Sequence, residues 1–355
     1  MKLYQTTTEF NCGIDLHSRS MYACVTDKQG NKMLHKRIRN NDFDYFLKLV
    51  DPYRHDLTVA CESTFNWYFL ADRCAQADLP FALGHALYMK AIHGGKSKND
   101  RIDSEKISHL LRSNLLPNAY VYPAEMRPVR DLIRRRIHFV HQHSALMAHL
   151  SICAHREGMT LDEKTKTSKE LRKTIPDLFD DPIRQLECRA DLELMESYEK
   201  VIPKLEREIK KKTRLDSSKE FNLLMSMPGL GDITALVILY EVQNISRFPT
   251  VQDFASYSRL VKCRAESDGK SYGFSGAKIG NPYLRWAFSE IAINCRRHHP
   301  HLKAWAECMI HKHGRARANT FMAHKIGRAV YFMLKNSTVF DIKEFLHTTM
   351  KKKKK

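Results

Sequence analysis

Short apolar runs alternate with helical patterns over the first third of the chain, and this alternation constrains the fold more than any other feature. The first three runs follow one another through polar turns, which predicts a β-meander. The predicted elements are strands at 11–16, 21–26, 32–38, 57–61 and 80–84 and helices at 42–50 and 66–77. Strands mixed with helices in this way predict an α/β domain.

Two long helices with heptad-like spacing are predicted after this domain. Apolar residues three or four positions apart run from Glu125 to about Leu150 and again from Leu192 to Ile209. A polar segment at 159–181 separates them and predicts a linker. Two interpretations stay open, an antiparallel hairpin that packs on itself and a coiled-coil arm between subunits, because two or three heptads are compatible with both.

The chain is strongly basic, and the excess charge is concentrated near its end. Its 355 residues contain 59 Lys and Arg against 40 Asp and Glu, a formal net charge of +19. Residues 216–355 contain 23 basic and 11 acidic side chains, whereas 1–122 contain 16 and 13. The run Lys351–Lys355 is predicted to be a disordered basic tail. This charge predicts a polyanionic partner, either a nucleic acid or an acidic membrane surface.

The sequence predicts that the chain does not insert into a membrane and has no secretory signal. There is no run of about 18 apolar residues, the length that a spanning helix requires. The segment 1–11 has no apolar stretch of the kind found in signal peptides. The nine cysteines include no C-x-x-C pair, which indicates reduced thiols in a cytoplasmic protein.

Four carboxylates in the first third occupy unusual positions. Asp15 lies in an apolar strand, where a charge is normally excluded, and Glu62 directly follows a buried strand. Asp100 and Asp103 are three residues apart and share one face of a predicted helix. If these carboxylates converge, they form an all-oxygen site suited to Mg²⁺ or Mn²⁺, which can support phosphodiester displacement. Asp100 and Asp103 can alternatively be explained by a favourable interaction with the helix dipole.

The helix that carries Asp100 and Asp103 has a predicted cap and a predicted buried face. Asn99 or Ser97 can cap its first turn. Its predicted apolar face consists of Ile102, Ile107, Leu110 and Leu111. Three cations near the carboxylates suit a phosphate backbone, and they are Lys96, Lys98 and Arg101.

The last third contains two predicted phosphate-binding features. The stretch Met227–Gly231 stops one helix and precedes another, as in a helix–hairpin–helix unit, where Gly229 and Gly231 expose backbone N–H groups. A plain tight turn between core helices explains the same pattern. A glycine-rich stretch from Lys262 to Asn281 is predicted to be a solvated loop before a helix that begins near Pro282. Its serines and cations, together with the cations of that helix, are Ser267, Ser271, Ser275, Arg264, Lys270, Lys278, Arg285, Arg296 and Arg297.

Taken in order, these motifs resemble the DEDD transposases of the insertion-sequence 110/1111 group. The resemblance covers about residues 10–340. The matching stretches are Gly13-Ile14-Asp15, Ala60-Cys61-Glu62, Asn99-Asp100-Arg101-Ile102-Asp103, Met227-Pro228-Gly229-Leu230-Gly231, Glu266-Ser267-Asp268-Gly269-Lys270, Lys278-Ile279-Gly280-Asn281 and Leu284-Arg285.

This resemblance implies a RuvC-like domain of RNase H fold, a helical coiled-coil insertion and a mostly α-helical C-terminal transposase domain. It implies that Asp15, Glu62, Asp100 and Asp103 bind the metal, and that a serine attacks DNA to form a covalent phosphoserine link. By motif position that serine is Ser267, and Ser275 is the alternative because Asp268 separates Ser267 from Gly269. The implied partners are donor and target DNA, a structured noncoding bridge RNA and further copies of the chain in a dimer or tetramer.

The predicted domains are a catalytic domain at 1–122, a helical oligomerisation region at 123–215, a C-terminal domain at 216–347 and a basic tail at 348–355. The predicted location is the prokaryotic cytoplasm, at the nucleoid. Three other functions remain: a site-specific DNA invertase of the same architecture, a junction-resolving nuclease that acts through the metal site alone, and a non-catalytic nucleic-acid-binding protein. An actin-like kinase is disfavoured because Asp268-Gly269-Lys270 is a poor match to the second phosphate loop it requires.

Overall fold

The computed structural model describes residues 2–92, 99–214, 219–268, 270–275 and 279–347. For 90–92, 214, 263–267, 271–272, 274–275 and 347, the description covers the backbone alone. The chain forms two compact units, Met1–Glu125 and Met126–Lys355.

A five-stranded sheet forms the first unit, with the strand order β3-β2-β1-β4-β5. Its strands are β1 Phe10–Leu16, β2 Ser20–Thr26, β3 Lys32–Arg39, β4 Leu57–Glu62 and β5 Phe81–Gly84. The first three strands are antiparallel, while β4 pairs in parallel with both β1 and β5. The predicted meander and the predicted α/β class are both confirmed.

Helices cover both faces of this sheet. They are α1 Phe43–Val50, α2 Trp67–Gln76, α3 Ala86–Ile92 and α4 Asp100–Arg112. One core joins β1, β2 and β4 to α1 and α2, and it includes Ile14, Phe46 and Leu70. A second core joins Ala60 to the buried side of α4. Because side chains alternate along a strand, Ile14 faces the first core while Gly13 and Asp15 face the other way.

The second unit is mostly helical. Its helices are α5 Arg127–Arg156, α6 Glu163–Thr167, α7 Lys169–Arg172, α8 Pro182–Arg214, α9 Lys219–Met225, α10 Asp232–Val242, α11 Val251–Tyr257, α12 Pro282–His298, α13 Pro300–His313, α14 Arg315–Asn336 and α15 Ile342–His347. Helices α9, α10, α12 and α14 enclose one large apolar core. Among the described residues, no helix combines the length and the apolar character needed to cross a bilayer.

Helices α5 and α8 pack against each other as an antiparallel hairpin. Arg136 on α5 pairs with Glu206 on α8, while His143, further along α5, pairs with the earlier Glu199 at 3.1 Å. The two heptad patterns therefore meet within the chain. A coiled coil between subunits stays a prediction. The predicted linker between them contains the short helices α6 and α7.

The glycine-rich stretch before α12 differs from its predicted loop conformation. It contains two antiparallel strands, β6 Cys263–Ser267 and β7 Lys270–Ser275, in which Ser267 pairs with Lys270. Asp268 adopts a φ of 51° between the strands, a left-handed conformation that aspartate tolerates in tight turns. The loop prediction was wrong because it relied on the glycine and serine content of this stretch and not on the alternation of side chains that is typical of a strand.

Candidate metal centre and basic cleft

The ladder between β1 and β4 brings two of the predicted carboxylates together. Ile14 pairs with Cys61, so the residues that follow, Asp15 and Glu62, lie side by side at the carboxyl ends of parallel strands. Both side chains lie on the face that α4 covers, because Gly13 contacts that helix and side chains alternate along a strand. The sheet therefore supplies half of the carboxylate set from adjacent positions.

Gly13 allows α4 to lie directly against β1. A Cβ atom at this position would overlap the backbone of Ser104 and Ser108, and it would lie 2.9 Å from the carbonyl carbon of Ile107. The two serines are fully buried, and the Ser108 hydroxyl donates to the Asn11 carbonyl oxygen at 2.8 Å. Small side chains on both elements thus set the approach of the helix that carries the other two carboxylates.

The first turn of α4 places Asp100 and Asp103 beside the end of β1. Asn99 caps the helix, because its side chain accepts a hydrogen bond from the Arg101 backbone N–H. The predicted buried face is confirmed for Ile107, Leu110 and Leu111. It is wrong for Ile102, which is 37 % exposed because the helix turns Ser104 and Ser108, rather than Ile102, toward the strand.

His17 lies between two of the carboxylates. Its Nε2 atom is 3.1 Å from Oδ2 of Asp15 and 3.4 Å from Oδ1 of Asp100. Asp15 is mostly buried, with 14 % of its side chain exposed, while His17 and Asp100 are about half exposed. Sequence reasoning missed His17, although its position two residues after Asp15 was a signal that both side chains lie on one side of the strand.

The electrostatics of Asp15 favour a bound cation. Burial raises the pKa of its carboxyl group, and the negative charges of Asp100 and Asp103 raise it further, although His17 opposes this. Asp103 also accepts a hydrogen bond from Lys106 at 3.3 Å. Because a divalent cation between these oxygens would offset their repulsion, the donor set fits Mg²⁺ or Mn²⁺.

Comparison with known proteins identifies the family. Residues 12–154 match a transposase model of the DEDD IS110 type, and residues 221–307 match the model of the transposase IS116/IS110/IS902 family. The transposase of the insertion sequence IS1328 from Yersinia enterocolitica is 24% identical over 93% of this chain and 98% of its own length. The chain belongs to the IS110 family of DEDD transposases.

Other relatives extend over most of this IS110-family chain. The transposase of IS1111A from Coxiella burnetii is 22% identical over 91% of the chain and 88% of its own length. A probable family 20 transposase from Pseudomonas aeruginosa is 20% identical over 92% and 97%. IS110-family transposases catalyse DNA strand cleavage and transfer, so the chain is an enzyme, and DEDD transposases use divalent metal ions.

The residues predicted to contact nucleic acid in this IS110-family chain differ in exposure and packing. Arg101 is exposed beside Asp100 on α4, whereas Lys96 and Lys98 lie outside the described residues. Gly231 is exposed with open space around it, but Gly229 has its Cα hydrogens against the backbone of Cys295 on α12. Gly229 thus has a packing role, and its contact with nucleic acid stays a prediction.

The β6–β7 hairpin contains the two candidate nucleophiles of the transposase. Ser267 is the last residue of β6 and Ser275 is the last residue of β7, and the description of both covers the backbone alone. The same holds for Arg264, while Lys278 lies outside the described residues and Lys270 is exposed. The role of either serine stays a prediction.

Arg296 and Arg297 line a basic cleft formed by α12, α13 and α14. The cleft has a volume of about 680 Å³, and Lys303 and Arg315 also contribute to it, with Glu307 as its acidic residue. Sequence reasoning identified the two arginines and missed Lys303 and Arg315, because residues on three helices meet there only in the folded chain. Four cations against one carboxylate make this cleft suitable for a phosphate backbone.

Asn281 belongs to a buried network and does not contribute to that cleft. Its side-chain oxygen accepts hydrogen bonds from the N–H groups of Tyr283 and Leu284 and so caps α12, while its amide donates to Glu241 at 2.7 Å. Arg285, one turn further along α12, is exposed. Asn281 therefore joins the start of α12 to the end of α10.

Glu241 is a fully buried carboxylate that sequence reasoning missed. Arg130 and Arg134 on α5 donate hydrogen bonds to it at 3.1 Å and 2.6 Å. Burial alone would raise the pKa of Glu241, but the hydrogen bond and charge of Arg134, together with Arg130 and Asn281, lower it below its usual value. The carboxylate thus joins α5, α10 and α12 as an anion.

We expect Glu241→Ala to lower the free energy of unfolding by about 3 kcal/mol or more, because it leaves Arg130 buried without its carboxylate partner. Urea unfolding followed by circular dichroism measures the loss. The matched control is Glu206→Ala, which breaks the pair with Arg136 at a side chain that is 28% exposed and should cost about 1 kcal/mol or less. Equal losses in the two variants would contradict the structural role of Glu241.

Proposed function

We propose that this transposase cleaves and rejoins DNA through the Ser267 hydroxyl, with Asp15, Glu62, Asp100 and Asp103 holding Mg²⁺ or Mn²⁺. The serine oxygen attacks a backbone phosphorus, one strand end leaves as a hydroxyl, and a phosphoserine link conserves the phosphodiester energy. A strand hydroxyl then displaces the serine and restores a phosphodiester. The bound metal would stabilise the charge that develops on the phosphate oxygens.

The observation that carries this proposal is the convergence of acidic groups around Asp15. Carboxylates from a strand and a helix lie together, and burial raises the pKa of Asp15, which the negative charges of Asp100 and Asp103 raise further. Such repulsion is costly unless a cation occupies the site. A RuvC-like RNase H fold is supported by a central β1 that pairs antiparallel with β2 and parallel with β4.

A nucleic-acid role for the second unit is supported by its charge. Residues 216–355 carry 23 basic and 11 acidic side chains. The cleft lined by Arg296, Arg297, Lys303 and Arg315 concentrates four of these cations. We propose that donor DNA, target DNA and a structured bridge RNA bind this basic surface together with Arg101, Lys270 and Arg285, and that the enzyme acts at the nucleoid.

The carboxylates belong to the first unit and Ser267 to the second. A reaction that needs both requires either docking within one chain or a site composed of two subunits. We favour the composite site of a dimer or tetramer, with residues 123–215 as the oligomerisation region and 1–122 and 216–347 as the catalytic and C-terminal domains. Activity then depends on assembly.

The serine mechanism predicts a covalent enzyme–DNA species that resists SDS. Wild type and Ser275→Ala should both form it on a suicide substrate, whereas Ser267→Ala should not, because only Ser267 becomes phosphorylated. Gel electrophoresis of labelled DNA measures the species, and mass spectrometry identifies the modified serine. An adduct on Ser275 would reassign the nucleophile. Metal-dependent cleavage without any adduct would instead favour a junction-resolving nuclease, and inversion of a DNA segment would favour an invertase.

The composite site predicts complementation between two inactive variants. Ser267→Ala keeps the carboxylates and Asp15→Ala keeps the serine, so mixed oligomers should recover part of the strand-transfer activity. Each variant alone should stay inactive. The matched control mixes Ser267→Ala with a double variant that lacks both Asp15 and Ser267, which should restore nothing. Failure of the first mixture at every ratio would contradict a site shared between subunits.

A further inference from the structure

A second cluster of metal-binding side chains lies in the helical hairpin, far along the chain from the carboxylates. It joins His149 and Cys153, one turn apart on α5, to Glu187 on α8. One ligand atom from each of these residues lies within 4.8 Å of the other two. Imidazole, thiolate and carboxylate are the ligands that Zn²⁺ takes in proteins.

Two of the distances in this cluster match the edges of a tetrahedral zinc site. His149 Nε2 is 3.7 Å from the Cys153 sulfur and 3.4 Å from Oε1 of Glu187. Zinc bonds of about 2.3 Å to sulfur and about 2.0–2.1 Å to nitrogen and oxygen place tetrahedral ligands about 3.6 Å and about 3.3 Å apart. Two of the three ligand-to-ligand distances therefore have the length that a tetrahedral ion requires, and the third, between the Cys153 sulfur and a Glu187 oxygen, is within 4.8 Å.

Neighbouring groups hold two of these ligands in a binding orientation. His149 Nδ1 lies 2.6 Å from Oδ2 of Asp191, so this carboxylate can accept a hydrogen bond from the Nδ1–H group. The unprotonated Nε2 then faces Cys153 and Glu187. Arg184 donates to Oε2 of Glu187 at 2.9 Å, which leaves Oε1 turned toward His149. A carboxylate behind a histidine ligand is the usual outer-shell arrangement in zinc sites.

The site is reachable from solvent yet anchored in the hairpin core. The side chains of His149 and Glu187 are 38% and 33% exposed. Cys153 is 1% exposed and packs in the apolar cluster that α5 and α8 share, which also contains Cys188. An ion can enter from the exposed side and bind a thiolate that belongs to the core.

We propose that His149, Cys153 and Glu187 bind one Zn²⁺ ion, with solvent as the fourth ligand, and that this ion ties α5 to α8 in the hairpin. Asp191 and Arg184 act as positioning residues. The ion is structural, and it is separate from the Mg²⁺ or Mn²⁺ proposed at Asp15 and Asp100, whose cluster contains His17 and no cysteine. Zinc binding should raise the thermal midpoint of the full chain, because a ligand that binds the folded state stabilises it.

Cobalt substitution tests the site through its thiolate ligand. Co²⁺ added to the zinc-free full chain in excess Mg²⁺, which would fill the carboxylate site, should bind at one equivalent and give the near-ultraviolet charge-transfer band of a cobalt thiolate, together with strong tetrahedral visible bands. Zn²⁺ should abolish both. Cys153→Ser should lose the charge-transfer band, and Glu187→Gln, which replaces a partly exposed side chain, should weaken cobalt binding while far-ultraviolet circular dichroism stays unchanged. Asp191→Asn should keep the band and weaken binding about 10–100-fold.

Two cysteine variants serve as controls. Cys188→Ser changes a second buried thiol in the same cluster, and Cys308→Ser removes an exposed thiol on α13 that has histidines nearby in sequence. Both should keep the charge-transfer band and the one-to-one stoichiometry. The proposal is overturned if the wild-type chain gives no band, if Cys153→Ser keeps it, or if Cys308→Ser alone removes it.

Discussion

Replacing Asp15 by asparagine should lower the rate of DNA strand cleavage by about 10³-fold or more while the fold persists. The neutral amide removes a charged ligand of the proposed metal site without changing the volume of the side chain. Asp15 is mostly buried beside His17, and Asp100 and Asp103 add negative charge to the same site. A cleavage assay at saturating Mg²⁺ measures the rate, and circular dichroism verifies the fold.

The matched control is Asp44→Asn, which changes an aspartate of the same unit that is 78% exposed and pairs with Arg73. It should leave cleavage unchanged. Because burial and nearby acids raise the pKa of Asp15, a proton competes with the metal, and Mg²⁺ affinity in the wild type should rise with pH until that carboxyl is fully ionised. Near-normal cleavage by the Asp15→Asn enzyme would show that Asp15 is not a ligand of the metal.

The carboxylate cluster could be predicted because its positions follow from local patterns. A charge inside the apolar stretch of β1, a charge at the end of β4 and an acidic first turn of α4 are all visible in the sequence. Parallel strands that end at the same edge of a sheet bring such residues together. The alternating pattern therefore indicated both the α/β fold and the positions of Asp15 and Glu62.

Other parts of the structure depend on contacts that no local pattern reveals. Glu241 follows an apolar run, and its position is typical of a polar residue at the end of a helix. In the folded chain it is buried and accepts hydrogen bonds from Arg130 and Arg134, which lie more than a hundred residues earlier. Ile102 resembles a core residue by spacing, but two serines occupy the inner face of α4. In both cases the deciding partner is distant in sequence, so the tertiary packing overrides the local preference.

Gly13→Ala should lower the free energy of unfolding by about 3 kcal/mol or more and also abolish DNA cleavage. The new methyl group would overlap backbone atoms of Ser104 and Ser108, which cannot rotate away as a side-chain tip can, so α4 has to move off β1. That movement carries Asp100 and Asp103 away from Asp15, so the proposed metal site loses two ligands although every carboxylate is still present. Urea unfolding and the Mg²⁺ dependence of cleavage measure the two effects.

The control for this substitution is Gly231→Ser, at a glycine with open space around it and a serine-compatible position before α10. Its unfolding free energy should change by less than about 1 kcal/mol. Hydrogen exchange adds a local readout, because the amides of α4 should lose protection in Gly13→Ala more than those of β1 and β4. Normal stability of Gly13→Ala would contradict the close packing of α4 on β1. If hydrogen exchange shows that α4 is displaced and cleavage is still normal, Asp100 and Asp103 are not part of the metal site.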